Sequence, residues 1–144
     1  MRIVFFTDTY EPQINGVVTS IKLFKKELEK FGHEIFIVCP KAPNHEFGEN
    51  VFTLRSFPFK PYPEYRAALP SFKLMKWIKS INPDIIHVHT PATIGHLGIT
   101  TAKLLSKPLI ASYHTLMEEY FKIYIIPKRV NLVKKFIETI SQNS

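Results

Sequence analysis

Three short stretches of the chain hold side chains suited to chemistry: Thr7 to Gly16, His87 to Thr93, and Tyr113 to Tyr120. In the third, His114 is followed by Thr115 and then by Glu118 and Glu119, an imidazole near carboxylates in a polar run. Such a group can move a proton or hold a polar substrate. His114 is therefore the foremost catalytic candidate, although a hydrogen-bonded structural histidine fits the same pattern. In the second stretch His87 and His89 are two residues apart on an apolar run, so both lie on one strand face, and Thr90 follows them. His96 and His114 could join them around a metal. No H-E-x-x-H helix or cysteine pair supports that, and a strand histidine is more often a satisfied core residue. The first stretch contributes Asp8 and Tyr10 as polar lining and then Asn15–Gly16 ahead of an amphipathic segment. A helix start with a glycine presents backbone N–H groups and permits close approach, which suits a phosphate. The same dipeptide is also ordinary turn chemistry, and there is neither a G-x-G-x-x-G nor a Walker A loop.

These clusters need a frame that brings them together, and the apolar periodicity supplies one. Arg2 to Phe6 reads as a buried strand, Thr7 to Asn15 as a loop, and the following segment as a helix with Val17, Ile21, Phe24, Leu28 and Phe31 on one stripe, stopped by Gly32. Glu34 to Cys39 is a second continuous apolar strand and Val51 to Arg55 a third. Phe57 to Pro70, with Pro58, Pro61, Pro63 and Pro70, reads as a long aromatic loop that contains Arg66. Next come a helix over Ser71 to Ser80, a strand over Asp84 to His89, a helix over Thr93 to Ser106, a strand over Pro108 to Tyr113 and a helix over about Lys128 to Ser141. The alternation predicts a doubly wound α/β parallel sheet, whose ligands bind beyond the carboxyl ends of the strands, where all three clusters fall. The chain ends on a helix with no strand after it, which suggests part of a longer protein.

With 144 residues, 45% of them hydrophobic, the chain is long enough for one domain with a real core. The lone cysteine, Cys39, lies in an apolar run and reads as core. No apolar run approaches the ~20 residues of a membrane span, and the start lacks a signal-peptide core, so a cytoplasmic location is expected. The net charge of +7 invites an anionic partner. Without an arginine-rich tract or zinc-finger spacing, nucleic acid is the weakest choice. Lys73, Lys76 and Lys79, spaced every three residues beside Phe72 and Trp77, suit either an anionic membrane surface or a plain solvated helix face.

Residues Phe6 to Ile21, reading FTDTYEPQINGVVTSI, closely resemble the opening of glycosyltransferase family 4, where a strand leads through a proline-containing loop to a glycine and a helix. Asp84 to Pro91 (DIIHVHTP) and Ser112 to Tyr120 (SYHTLMEEY) are similar to its second and third landmarks. Tyr62 to Arg66 and Ile126 to Lys128 are similar to the branch that glucosylates diacylglycerol. The resemblance covers essentially the whole chain.

The resemblance implies a retaining GT-B enzyme that moves a hexose from a nucleotide sugar such as UDP-glucose and has no metal or other cofactor. This chain, residues 1–144, would be the N-terminal, Rossmann-like, acceptor-side domain, and most donor contacts would come from a C-terminal domain absent here. Carried over by position, Gly16 with Asn15 would meet the donor diphosphate and His114 the transferred sugar. Asp8, Tyr10, Arg66, His89, Thr90, Glu118 and Glu119 would be acceptor or cleft candidates. A membrane lipid such as diacylglycerol is the implied acceptor, with the protein peripheral on the inner face of the cell membrane, and the chain alone is expected to be inactive. The alternatives are a soluble-acceptor, glucan synthase-like transferase and a non-catalytic nucleotide-binding or regulatory α/β module with Asp8 as phosphoacceptor or metal ligand. The further acidic residues and lysine of a signalling receiver are not evident.

Overall fold

A computed structural model of the chain describes residues 1–59, 62–90, 92–112 and 114, with backbone alone for 58–59 and 62–67. Strand β1 (Arg2–Phe6) is followed by helix α1 (Gly16–Lys30) and strand β2 (Glu34–Pro40). Asn15 caps α1 by accepting from the Val18 N–H through its side chain, and Gly32 turns the chain away with φ of +85°, a conformation that glycine adopts without strain. Val17, Val18 and Ile21 form the buried stripe of α1. Phe31, expected on that stripe, is the C-terminal cap and stands 77% exposed, because the helix has already ended.

Strand β3 (Val51–Leu54), strand β6 (Ile85–Val88) and strand β7 (Leu109–Ala111) complete a five-stranded sheet in the order β3-β2-β1-β6-β7, with every pairing parallel. Alternation along β1 sends Ile3 and Phe5 to the α1 face and Val4 and Phe6 to the other. The first face packs Val17, Val18, Ile21, Ile35, Ile37 and Cys39. Cys39 is fully buried, and burial pushes its thiol well above the usual range. The second face takes helix α2 (Phe72–Ile81) through Leu74, Ile78 and Ile81, and helix α3 (Thr93–Leu105) through Ile94, Ile99 and Ala102. The strand order reverses direction between β1 and β6, which opens a crevice at their carboxyl ends.

Helix α3 lies directly on the sheet. A Cβ at Gly95 would stand 1.7 Å from the Thr90 carbonyl oxygen, and one at Gly98 would stand 2.7 Å from Phe6 Cγ. No real side chain fits at either distance, so both glycines are required by close approach.

The expected loop at Phe57 to Pro70 is instead an antiparallel hairpin of β4 (Ser56–Phe59) and β5 (Tyr62–Ala68), with a register shift between Pro58 and Phe59. Each strand of an isolated hairpin keeps one free edge, where a proline costs no ladder hydrogen bond, while phenylalanine and tyrosine favour extended backbone. On α2, Trp77 is turned inward against Phe36 and Phe52, with ring centroids 5.9 and 5.2 Å away, so it covers the core. Lys73, Lys76 and Lys79 remain exposed, as does Phe72. No described helix is long and apolar enough to cross a membrane. The helix expected over Lys128 to Ser141 lies outside the described residues.

Candidate functional site

The carboxyl ends of β1 and β6 bring two of the sequence clusters into direct contact. The His89 N–H donates to the Phe6 carbonyl at 2.9 Å, extending the β1–β6 ladder, and the Asp8 N–H donates to Thr90 Oγ1 at 2.6 Å. Ser112 N–H donates to the Val88 carbonyl at 2.9 Å, which brings the end of β7 to the same edge. The first two clusters and His114 of the third meet at this edge because their strands are neighbours in the sheet.

Asp8 is 1% exposed, and its carboxylate accepts from the Ile94 N–H at 2.7 Å, the Gly95 N–H at 3.0 Å, the Thr93 hydroxyl at 2.8 Å and the Thr90 hydroxyl at 3.1 Å. Helix α3 has no side-chain cap of its own, since Ala92 occupies the N-cap position. From the loop after β1, Asp8 supplies the acceptor that helix N–H groups need, 86 residues from Ile94 in sequence. Burial pushes its carboxyl above the usual range, against the opposing pull of the Ile94 and Gly95 N–H groups and the two hydroxyls. Thr93 Oγ1 also accepts from the Ala68 N–H at 3.1 Å, so the end of the hairpin is tied to the same cluster. Asp8 thus has its acceptor sites occupied by the fold, and α3 has its N-terminus filled by a carboxylate of its own chain.

The other helix N-terminus at this edge differs. Asn15 Oδ1 accepts from Val18 N–H at 3.0 Å and its Nδ2 donates to Thr9 Oγ1 at 3.0 Å, so its side chain is engaged in capping. The first N–H groups of a helix have no intrahelical acceptor, and Gly16 at the start of α1 is exposed. A Cβ on Gly16 would meet nothing within 4 Å among the described residues, so no contact among them demands glycine there. Tyr10 is 7% exposed, and burial raises its phenol well above the usual range, so it packs as a core residue. Arg66 lies on β5 opposite Pro58. Glu118 and Glu119 lie outside the described residues.

The histidines form a stack on the α1 face of the sheet. His87 and His89 lie ring on ring with centroids 4.0 Å apart, and His89 and His114 are stacked at 5.3 Å. His87 Nε2 is 2.7 Å from Ser112 Oγ, and His89 Nδ1 is 3.0 Å from His114 Nε2. Phe5 and Phe24 complete the surroundings of the His87 and His89 rings. Desolvation by burial, with its neighbouring imidazoles adding to it, brings His89 down to about 2, and burial with His114 brings His87 down to about 4. Burial lowers His114 as well. All three are therefore neutral at pH 7, and His114, half-buried, is the member at the rim. His96 is exposed on α3, and no group of three or more His, Cys, Asp or Glu side chains is placed to hold a metal among the described residues.

A stability consequence follows from these lowered values. Between the ordinary value of 6.5 and about 4, the unfolded chain binds protons at residues 87 and 89 that the folded chain refuses. Stability is then full above pH 6.5 and falls as the pH drops below it, by about 1.4 kcal/mol per pH unit for each neutral-held imidazole. The Asp8 carboxyl acts in the opposite sense above its ordinary value of 3.8, and one carboxyl does not offset two imidazoles. Urea denaturation at pH 7.5 and pH 5 should show the loss, and His87→Phe combined with His89→Phe should flatten it. Equal stability at both pH values would show that the stack is not held neutral.

Sequence comparison sets these residues in a family. The sequence model of Glycosyltransferase Family 4 matches residues 14–143. The chain is 42% identical over 123 residues to "Alpha-monoglucosyldiacylglycerol synthase" of Streptococcus pneumoniae, an alignment covering 83% of this chain and 28% of that protein. To "Alpha-monoglucosyldiacylglycerol synthase" of Acholeplasma laidlawii it is 31% identical over 124 residues, covering 83% of this chain and 31% of that one. To "GDP-mannose-dependent alpha-mannosyltransferase" of Mycobacterium tuberculosis it is 27% identical over 134 residues, covering 88% and 35%. The chain thus spans about a third or less of the length of these relatives.

Proposed function

Because the chain belongs to glycosyltransferase family 4, we propose that it forms the acceptor-side wall of a retaining glycosyltransferase that moves a hexose from a nucleotide sugar to a membrane lipid such as diacylglycerol. The fold is the Rossmann-like parallel sheet of the N-terminal GT-B domain. The observation that carries the reading is the crevice between β1 and β6, with the Gly16 helix start at one edge and neutral His114 at the other.

Residues divide the work by their surroundings. At the α1 start, backbone N–H groups and the helix dipole favour a diphosphate, and the open space at Gly16 lets it come close. The α3 start is closed to a second anion by Asp8, which directs the donor phosphates to α1. Neutral His114 holds a hydroxyl of the transferred hexose and orients the anomeric carbon as oxocarbenium character develops, without acting as nucleophile. The diphosphate leaving group needs cationic partners from the remainder of the enzyme. The likeness to the two alpha-monoglucosyldiacylglycerol synthases supports a diacylglycerol-type lipid as acceptor and glucose as sugar.

The test is a panel in which the full-length protein meets UDP-glucose or GDP-mannose together with diacylglycerol vesicles or soluble sugar acceptors. Glycolipid formed from UDP-glucose in the vesicle arm is the expected result. Product confined to a soluble acceptor would replace the lipid reading, and donor hydrolysis or transfer in no arm would remove the enzyme reading altogether.

A further inference from the structure

The contact between His89 and His114 joins a fully buried ring to one at the rim through His89 Nδ1 and His114 Nε2, 3.0 Å apart. One nitrogen must donate and the other accept, since both rings are neutral. The remaining nitrogen of His89, Nε2, is buried and has no hydrogen-bond partner among the described residues. Its ring is bordered by Phe5 at 4.4 Å, Phe24 at 5.9 Å and His87 at 4.0 Å between centroids, so no strong acceptor is offered there among the described residues. A buried N–H without an acceptor is the rarer and costlier arrangement, whereas an unused lone pair is better tolerated. The proton of His89 then belongs on Nδ1, where it donates to His114 Nε2. His114, with Nε2 accepting, must carry its own proton on Nδ1.

We infer that His89 is a positioning residue that fixes His114 in the Nδ1–H tautomer, so that His114 meets its ligand only as a hydrogen-bond donor through Nδ1. Stacking on His87, itself tethered to Ser112 through Nε2 at 2.7 Å, keeps the His89 ring from rotating. The ligand atom that fits is an acceptor, such as the oxygen of a sugar hydroxyl. That last step rests on the function proposed above, while the tautomer itself does not.

The experiment is long-range ¹H–¹⁵N correlation of the imidazoles in the 144-residue chain at pH 7.5, with His114→Ala assigning the His114 signals. The expected spectrum has a pyrrole-like Nδ1 and a pyridine-like Nε2 on both His89 and His114, with a ¹⁵N–¹⁵N coupling across the hydrogen bond between them. In His89→Phe the His114 proton should move to Nε2, the form an unconstrained histidine favours. In His89→Gln, whose amide can still donate, it should stay on Nδ1. A wild-type His114 protonated at Nε2, or one whose tautomer is unchanged in a folded His89→Phe, overturns the inference. Where His89→Phe does not fold, the wild-type coupling decides: its absence is a refutation. Normal turnover in His114→Ala would defeat the functional reading and leave these spectra unaltered, so the two failures are separable.

Discussion

Replacing Asp8 with alanine is expected to remove about 3 to 5 kcal/mol of stability, at the upper end for a single substitution. The substitution strips the acceptor at once from the buried Ile94 and Gly95 N–H groups, from the buried Thr90 hydroxyl and from the hydroxyl of Thr93, which solvent can reach. Each buried donor left alone costs roughly 1 to 3 kcal/mol, and partial rehydration keeps the total below the simple sum. Asp8→Asn should cost less, because one oxygen still accepts while the amide nitrogen faces donors. Equilibrium urea denaturation measures both, and amide hydrogen exchange at Ile94 and Gly95 should accelerate before the rest of α3. A loss under about 1 kcal/mol for the alanine variant would mean that the cluster does not hold the helix.

His114→Ala in the full-length protein should lower turnover by about a hundredfold or more, the scale of a lost contact to a developing charge. The same change leaves His89 Nδ1 without its partner, which costs about 1 to 2 kcal/mol of stability. Turnover and melting temperature must therefore be measured together. A variant that melts earlier yet turns over at nearly the normal rate would make His114 a structural residue and shift attention to the rest of the crevice. The effect on rate should exceed what the unfolded fraction explains, since a loss of 1 to 2 kcal/mol from a domain of ordinary stability leaves it mostly folded.

How far these expectations were readable in advance differs from element to element. The β1–α1–β2 unit was legible because Ile3 to Phe6 and Ile35 to Cys39 are unbroken apolar runs, and because Asn15 and Gly32 carry capping chemistry in their residue types. The β4–β5 hairpin was not, since proline density reads as loop until one knows that both strands keep a free edge. His87 and His89 were placed on a common face by their spacing alone, whereas the meeting of His89 with His114 depends on β7 lying beside β6. Asp8 illustrates the limit most clearly. Its role arises from a contact 86 residues away with backbone N–H groups, which carry no side-chain signature. The missing cap at Ala92 was the one trace in the sequence, a helix start that lacks a side-chain acceptor of its own. The resemblance named residues around the carboxyl ends of β1 and β6 without distinguishing side chains free to meet a ligand from those, such as Asp8, that hold the strand ends in shape.

The paired glycines of α3 also fix an angle. A helix turns by about 100° per residue, so an axial rotation of one position would swing a side-chain-bearing residue into the place of Gly95 or Gly98. With Thr90 and Phe6 standing where those Cβ atoms would be, such rotations are closed off and the helix has a single azimuth. That azimuth aims the Ile94 and Gly95 N–H groups at Asp8. Drift in sequence can therefore change what α3 shows to solvent, at His96, Thr100 or Lys103, while its bearing on the crevice stays constant.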